Sequence, residues 1–249
     1  MPERKGFTLI ELLVVIAILS LLLGIFAPGL WRIWHLANVD VCYNNIHQLS
    51  VAWMGYQANN DGYLINGLTK NAGGQKAWAY WGNEWPSNAN RRSLITNGAL
   101  FPYVPDIRIY KCPVDPVHHL RSYSITSIPN GEGWYQVSPL IVKRYGLIKD
   151  PANQLVFVEE NDHRSISNMN SFIQELKSSN RNRWVDYVAN YHEDSDNVGF
   201  ADGHAEHWKW MDQRTIQNAK DQVFFRPDNG NPDLRRFREK LFNGAPGAF

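Results

Sequence analysis

From Leu12 to Trp31 the chain runs twenty residues without a charge, LLVVIAILSLLLGIFAPGLW. In a helix such a stretch rises about 30 Å, enough to cross the hydrocarbon of a bilayer. Apolar positions then persist at helical spacing. Cys42, Ile46, Leu49, Trp53 and Tyr56 are separated by four, three, four and three residues, which puts them on one stripe. Asn44, Asn45, His47 and Gln48 fall on the other sides, and Asn59-Asn60-Asp61-Gly62 closes the pattern with turn chemistry. The pattern predicts one helix from about Phe7 to Ala58, bent at Gly24 and Pro28. Its first half sits in a membrane, and its second half docks the stripe on a globular head.

Beyond Gly62 the apolar runs are short and broken by Gly, Pro, Asn and Asp, as strands and loops require. Leu155-Val156-Phe157-Val158-Glu159 is the clearest interior strand. Asn197 to Phe200, Asp202-Gly203 and His204 to Trp210 read as a hairpin with a two-residue turn. A short helix is expected near Ser171 to Leu176, and a loop leading into a basic helix or tail near Asn231, Pro232, Arg235, Arg236 and Arg238. A long helix followed by antiparallel strands makes the fold class α+β, a helix packed on a small sheet.

The apolar run is either a removable secretory signal or a retained anchor. A removable signal carries small residues after the run. Here Trp31-Arg32-Ile33-Trp34 follow it, bulky and basic. The small residue is Gly6, placed before the run, so a cut there removes only MPERKG and leaves the anchor attached. Glu11 lies among Phe7, Leu9, Ile10 and Leu12, where a carboxylate is costly without a partner. A cut after Gly6 gives Phe7 a new α-amine, and Glu11 can pair with that amine on a neighbouring subunit. A buried pair of this kind sets the register between packed helices.

Gly6-Phe7-Thr8-Leu9-Ile10-Glu11 followed by LLVVIAI resembles the prepilin-type signal of type IV pilins and type II secretion pseudopilins. Pro28 stands where those proteins commonly carry a helix-kinking proline. The resemblance implies cleavage after Gly6 by a prepilin peptidase, N-methylation of Phe7 and Glu11-dependent assembly with other pilin-like subunits and the inner-membrane machinery of a secretion system or pilus. The chain then divides into a leader (1–6), a transmembrane assembly helix (7–31), an amphipathic continuation (32–60) and a head (61–249). Arg4 and Lys5 precede the span and favour a cytoplasmic amino terminus, a single pass through the inner membrane and an extracytoplasmic, periplasmic head.

The formal net charge is +1, and the leader holds Glu3, Arg4 and Lys5, leaving 23 basic and 23 acidic side chains. That balance gives no reason to expect a nucleic-acid partner. Cys42 and Cys112 are too few for a disulfide scaffold or a cysteine-based zinc site. Outside the cytoplasm they can form one bridge from helix to head, and the alternative is two buried thiols.

His192, nine further residues and then Asp202-Gly203 resemble the H-x9-DG motif near the carboxyl end of a large bacterial family with prepilin-type leaders. Cys112-Pro113-Val114-Asp115 and Arg121-Ser122-Tyr123-Ser124 also resemble that family. His192, Asp202, His204, Glu206 and His207 are the cluster to suspect of hydrolytic chemistry. Alternation puts His204 and Glu206 on one strand face and His207 on the other, and a plain hairpin turn explains Asp202-Gly203. No cofactor is expected apart from calcium, for which Asp194, Asp196 and Asp202, with Glu193 and Asn197, supply oxygen ligands. Trp78, Tyr80, Trp81 and Trp85 form the densest aromatic group, suited to core packing or to stacking on sugars. The sequence therefore reads as a structural, non-enzymatic filament subunit. A membrane-tethered carbohydrate- or partner-binding module is the alternative, and a surface hydrolase the third reading.

Overall fold

The computed structural model describes residues 6–81, 88–117, 120–131, 140–162, 171–174 and 183–243. The chain divides into two compact units, Met1–Asp40 and Val41–Phe249. The first unit holds the beginning of α1 (Leu9–Ala58). Gly24 and Pro28 both lie inside the helical span. Leu12, Leu13, Ile16, Leu19, Leu23, Phe26 and Ile33 are all exposed, as apolar side chains are when lipid or other helices are their solvent. Among the described residues this is the one helix long and apolar enough to cross a membrane.

The second unit opens with the rest of α1 and continues through α2 (Asn88–Thr96), β1 (Tyr123–Ile125), β2 (Leu155–Glu159), β3 (Arg183–Trp184) and β4 (Ser195–Phe200). It closes with β5 (Ala205–Lys209), α3 (Gln213–Asp221), β6 (Arg226–Pro227) and α4 (Pro232–Phe242). Four strands form an antiparallel sheet in the order β1-β2-β4-β5, and β3 pairs with β6. The fold is α+β: a long amino-terminal helix with a small antiparallel sheet.

The sheet separates two cores. On one side lies the α1 stripe of Cys42, Ile46, Leu49 and Trp53, packed with Trp78, Leu100, Tyr110, Tyr123, Ile125 and Phe157. Tyr56 closes the stripe as a half-buried residue against Tyr103. On the other side Leu155, Val158, Val198, Phe200 and Trp208 meet Ile216 of α3 and Leu234, Phe237 and Leu241 of α4. A register shift between Leu155 and Phe157 turns both Val156 and Phe157 toward the α1 core, while Leu155 and Val158 join the other.

Several expectations need correction. Asn45 is buried rather than on the polar side of α1, and its amide donates to the Lys111 carbonyl at 3.1 Å. The β4–β5 hairpin closes through Ala201, Asp202 and Gly203, not two residues. Phe200 N–H donates to His204 O, Gly203 N–H donates to Phe200 O, and Gly203 takes φ +95°. That is the three-residue loop that needs a left-handed third position. Ser171 to Gln174 hold no helix: Phe172 bridges Thr126 instead, and residues 175 and 176 lie outside the described set. The sequence pattern missed α3, whose start is capped by the Asp212 carboxylate accepting from Arg214 N–H. The basic carboxyl-terminal helix is α4, capped by Asn231 accepting from Asp233 and Leu234 N–H.

Candidate functional site

Two regions carry the candidate chemistry, and the first is the amino terminus. Gly6, Phe7 and Thr8 precede α1 without helical structure. Phe7 is 75% exposed, and among the described residues nothing stands within 4 Å of where a Cβ on Gly6 would lie. On its carboxyl side the Gly6–Phe7 peptide bond is therefore exposed. Thr8 and Glu11 form a reciprocal cap: the Glu11 carboxylate accepts from Thr8 N–H and from Thr8 Oγ1–H, both at 2.8 Å, and Glu11 N–H donates to Thr8 Oγ1 at 3.3 Å. An Ser/Thr-x-x-Glu cap satisfies orphan donors at a helix start. In the single chain the Glu11 carboxylate is thus held at the point where cleavage would create an amine. Glu3, Arg4 and Lys5 lie outside the described residues.

The second region is the buried end of the sheet beside α1. Cys42 and Cys112 are joined in a disulfide with their Cα atoms 5.2 Å apart. His192 Nε2 lies 3.5 Å from Cys112 Sγ and 3.1 Å from Glu159 Oε1. Glu159 ends β2, and its other oxygen accepts from Asn197 N–H of β4 at 3.0 Å. A tight turn delivers His192 to this point. Glu193 and Asp194 take positive φ, and Ser195 returns both a backbone and a hydroxyl contact to His192.

The segments flanking Cys112 converge on the same spot. Cys112 N–H donates to Ser122 Oγ at 3.1 Å, and Ser122 O–H donates to Asp115 Oδ2 at 2.7 Å. Arg121, fully buried, lies over the Trp78 ring at 4.7 Å and donates to Tyr123 O and Ser124 Oγ. Ser124 O–H in turn donates to Glu160. Sequence reasoning missed Glu159 and Glu160. The available signal was a charged pair directly following an apolar strand, Glu159-Glu160 after Leu155-Val156-Phe157-Val158.

Burial sets the charge states here. It pushes the Glu159 carboxyl up to about 7, against hydrogen bonds from Asn197 that favour the anion. It pulls the His192 imidazole down, with the Asp196 carboxyl opposing. The Glu160 and Asp196 carboxyls are likewise raised well above the usual range, first by burial and then by neighbouring acids. Desolvation lowers Arg121 to about 10, although Glu160 and Asp162 favour its charge.

The remaining sequence candidates disperse. Asp202 accepts from His204 N–H at 3.1 Å and meets His204 Nδ1 at 2.5 Å, while His204 Nε2 faces Glu206 at 3.5 Å on the exposed side of the hairpin. His207 Nδ1 pairs instead with Asn197 at 3.0 Å. The suspected hydrolytic cluster is thus divided between a buried His192 and a surface row. Asp196, offered as a calcium ligand, is buried and accepts from Asn190 N–H, Tyr191 N–H and Trp210 Nε1–H. Asp194 supplies its carbonyl to Trp210 N–H. Among the described residues, Asp194, Asp196 and Asp202 do not converge as a ligand set; the one group whose ligand atoms do is Cys42, Cys112, Glu159 and His192.

Trp78 is fully buried, stacked on Tyr110 and edge-on to Phe157, so it offers no ligand surface. Trp81 and Tyr80 are half-buried at a cleft of about 620 Å³. Trp85 lies outside the described residues.

Residues 1–27 match the prokaryotic N-terminal methylation motif. This match supports a type IV pilin-like protein, a class of structural subunits processed by prepilin peptidase. No curated protein and no solved structure gives a significant match to the chain.

Proposed function

We propose that this chain is a structural subunit of a type II secretion-like pseudopilus or a type IV pilus-related filament, cut after Gly6 and N-methylated at Phe7. The observation that carries the reading is one junction. An accessible Gly6–Phe7 bond, inside the matched methylation motif, directly precedes a helix able to cross a membrane. Cleavage there leaves the anchor on the mature chain. It also places the new amine one residue before the Thr8–Glu11 cap. In a bundle of such helices, the amine of one subunit takes Glu11 of the next as its partner, and lipid is replaced by neighbouring apolar helices. The division into leader, assembly helix, amphipathic continuation and extracytoplasmic head follows from that reading. So does an inner-membrane location with a cytoplasmic amino terminus, and the disulfide suits an oxidising compartment. The H-x9-DG resemblance then describes how the head is closed: His192 seals the disulfide end of the sheet, and Asp202-Gly203 forms the far turn.

Coexpression with a prepilin peptidase tests the proposal. The wild-type chain loses six residues and Gly6→Leu keeps them; trimming of Gly6→Leu at the same bond would overturn the reading.

A second reading rests on the open cleft lined by Lys76, Tyr80, Trp81, Ser93, Asn97 and Pro102, whose aromatic side chains can stack on a sugar ring. A glycan array probed with the full chain in detergent tests it: binding lost in Trp81→Ala supports it, and no binding removes it.

A further inference from the structure

The Cys42–Cys112 bridge has an unusual wall. One ligand atom each from Cys42, Cys112, Glu159 and His192 all lie within 4.8 Å of one another. The two cysteines and Glu159 are 0% exposed and His192 is 2% exposed. They arrive from four separate segments: α1, the turn after Tyr110, the end of β2 and the turn before β4. A hydrophobic staple needs none of this polarity. A disulfide is neutral, and apolar neighbours would serve it without the cost of burying a carboxyl and an imidazole. The imidazole is aimed with one nitrogen, Nε2, at both sulfur and carboxylate, while Nδ1 is buried with no partner among the described residues.

We propose that these four side chains bind one zinc ion when the Cys42–Cys112 bridge is reduced. Two equivalents of a small-molecule or protein thiol would supply two electrons and two protons, converting the bridge to two thiols and leaving the reductant as its own disulfide. Zinc then displaces the thiol protons, and any proton on Glu159, to the solvent. Two thiolates, one imidazole Nε2 and one carboxylate complete a closed four-coordinate shell, the structural type that zinc favours. Zinc bonds of about 2.0–2.3 Å set tetrahedral ligand atoms roughly 3.3–3.8 Å apart. Breaking the S–S bond lets the sulfurs separate to such a spacing with small side-chain rotations. Thiolate ligands select against calcium and magnesium. The bridge and the metal are therefore exclusive occupants of one site, and either ties α1 to the sheet.

The test uses the full-length chain in detergent, reduced with a phosphine, incubated with zinc chloride and desalted, with metal counted by mass spectrometry. The expected result is one zinc per reduced chain and none on the oxidised chain. Cobalt in place of zinc gives thiolate-to-metal charge-transfer bands and intense tetrahedral d–d bands. The near-isosteric Glu159→Gln, checked for folding by circular dichroism, weakens zinc by at least about tenfold, the lower end of what losing even an outer partner of a ligand costs. Three results would overturn the site: a reduced chain without zinc, equal zinc on the oxidised chain, or equal zinc on a Cys42→Ser/Cys112→Ser chain. None depends on whether the chain is processed at Gly6.

Discussion

Gly199 of β4 lies against Ser50 of α1 with no room for a side chain between them. A Cβ on Gly199 would stand 2.9 Å from Ile46 Cγ2 and 3.3 Å from Phe157 Cβ, and closer still to Ser50 Oγ. The Ser50 and Ile46 side chains of α1 thus rest directly on the backbone of β4, with Phe157 of β2 beside them. This contact sets the height of α1 over the sheet, and Cys42, about two turns before Ser50, lies within bonding reach of Cys112. Gly199→Ala is expected to cost about 1–3 kcal/mol through overpacking. A thermal unfolding shift read by circular dichroism checks it, and an unchanged midpoint would mean that α1 can lift freely.

Gly203 makes the complementary contact at the far turn. It combines φ +95° with a would-be Cβ 2.7 Å from Met54 Sδ. Gly203→Ala therefore meets backbone strain and a flexible neighbour, and should lose more than the ~1 kcal/mol a compatible Gly→Ala change can gain. The double change Gly203→Ala/Met54→Ala relieves the clash but not the φ strain, so it should recover only part of the loss. Full recovery would assign the whole effect to packing.

Removing the bridge should be costlier. It closes a loop with a sequence separation of 70 between α1 and the head. Cys42→Ala with Cys112→Ala is expected to lose about 2–4 kcal/mol by denaturant titration of the oxidised protein. A change below about 1 kcal/mol would show that the apolar stripe alone holds α1.

How far the sequence reached is clear from α1. Its stripe was legible because Cys42, Ile46, Leu49, Trp53 and Tyr56 keep one 3.6-residue period, and the helix ends at Ala58 where turn residues take over. Strand β2 was legible for the same kind of reason: an uninterrupted apolar run must be buried on both faces. The buried centre was not. His192 reads in sequence as one cluster with Asp202, His204, Glu206 and His207, because local alternation cannot report the tertiary turn at Glu193 and Asp194. Glu159 looked like the end of a strand, yet its carboxyl is the partner of His192. Alternation puts Trp78 and Trp81 on opposite strand faces without saying which face is core, and the packing of Tyr110 and Phe157 makes Trp78 the core ring.

The charge state of Glu159 predicts a pH dependence. Its carboxyl titrates near an ordinary 4.5 when unfolded and at about 7 when folded. Between those values the folded chain holds a proton that the unfolded chain has released, so stability falls as pH rises from about 4.5 through about 7. Glu160 and Asp196, also raised, act in the same direction. His192, lowered by burial, acts in the opposite one, adding stability as pH rises through its own range. Comparing thermal midpoints of wild type and Glu159→Gln at about pH 5 and about pH 8 isolates the Glu159 part. The variant should gain on wild type at the higher pH; a constant difference would contradict the assignment.

On the proposed reading, Glu11 serves assembly rather than the fold of the head. Glu11→Ala removes the carboxylate that accepts from Thr8 N–H and Oγ1–H in the single chain. Loss of such a cap costs about 1 kcal/mol at the helix start, too little to stop folding. The variant should still be trimmed after Gly6 yet fail to enter filaments, measured by shearing and immunoblotting of the assembled fraction. Normal incorporation would remove the proposed pairing with the Phe7 amine.

On the proposed reading the chain is cut before its apolar helix and keeps that helix. Intact mass and amino-terminal peptide mass spectrometry of the protein from its native membranes test this most directly. The expected result is a mature chain that begins with N-methylated Phe7 and retains residues 7–31. A chain still beginning at Met1, or one beginning beyond Trp31, would contradict it.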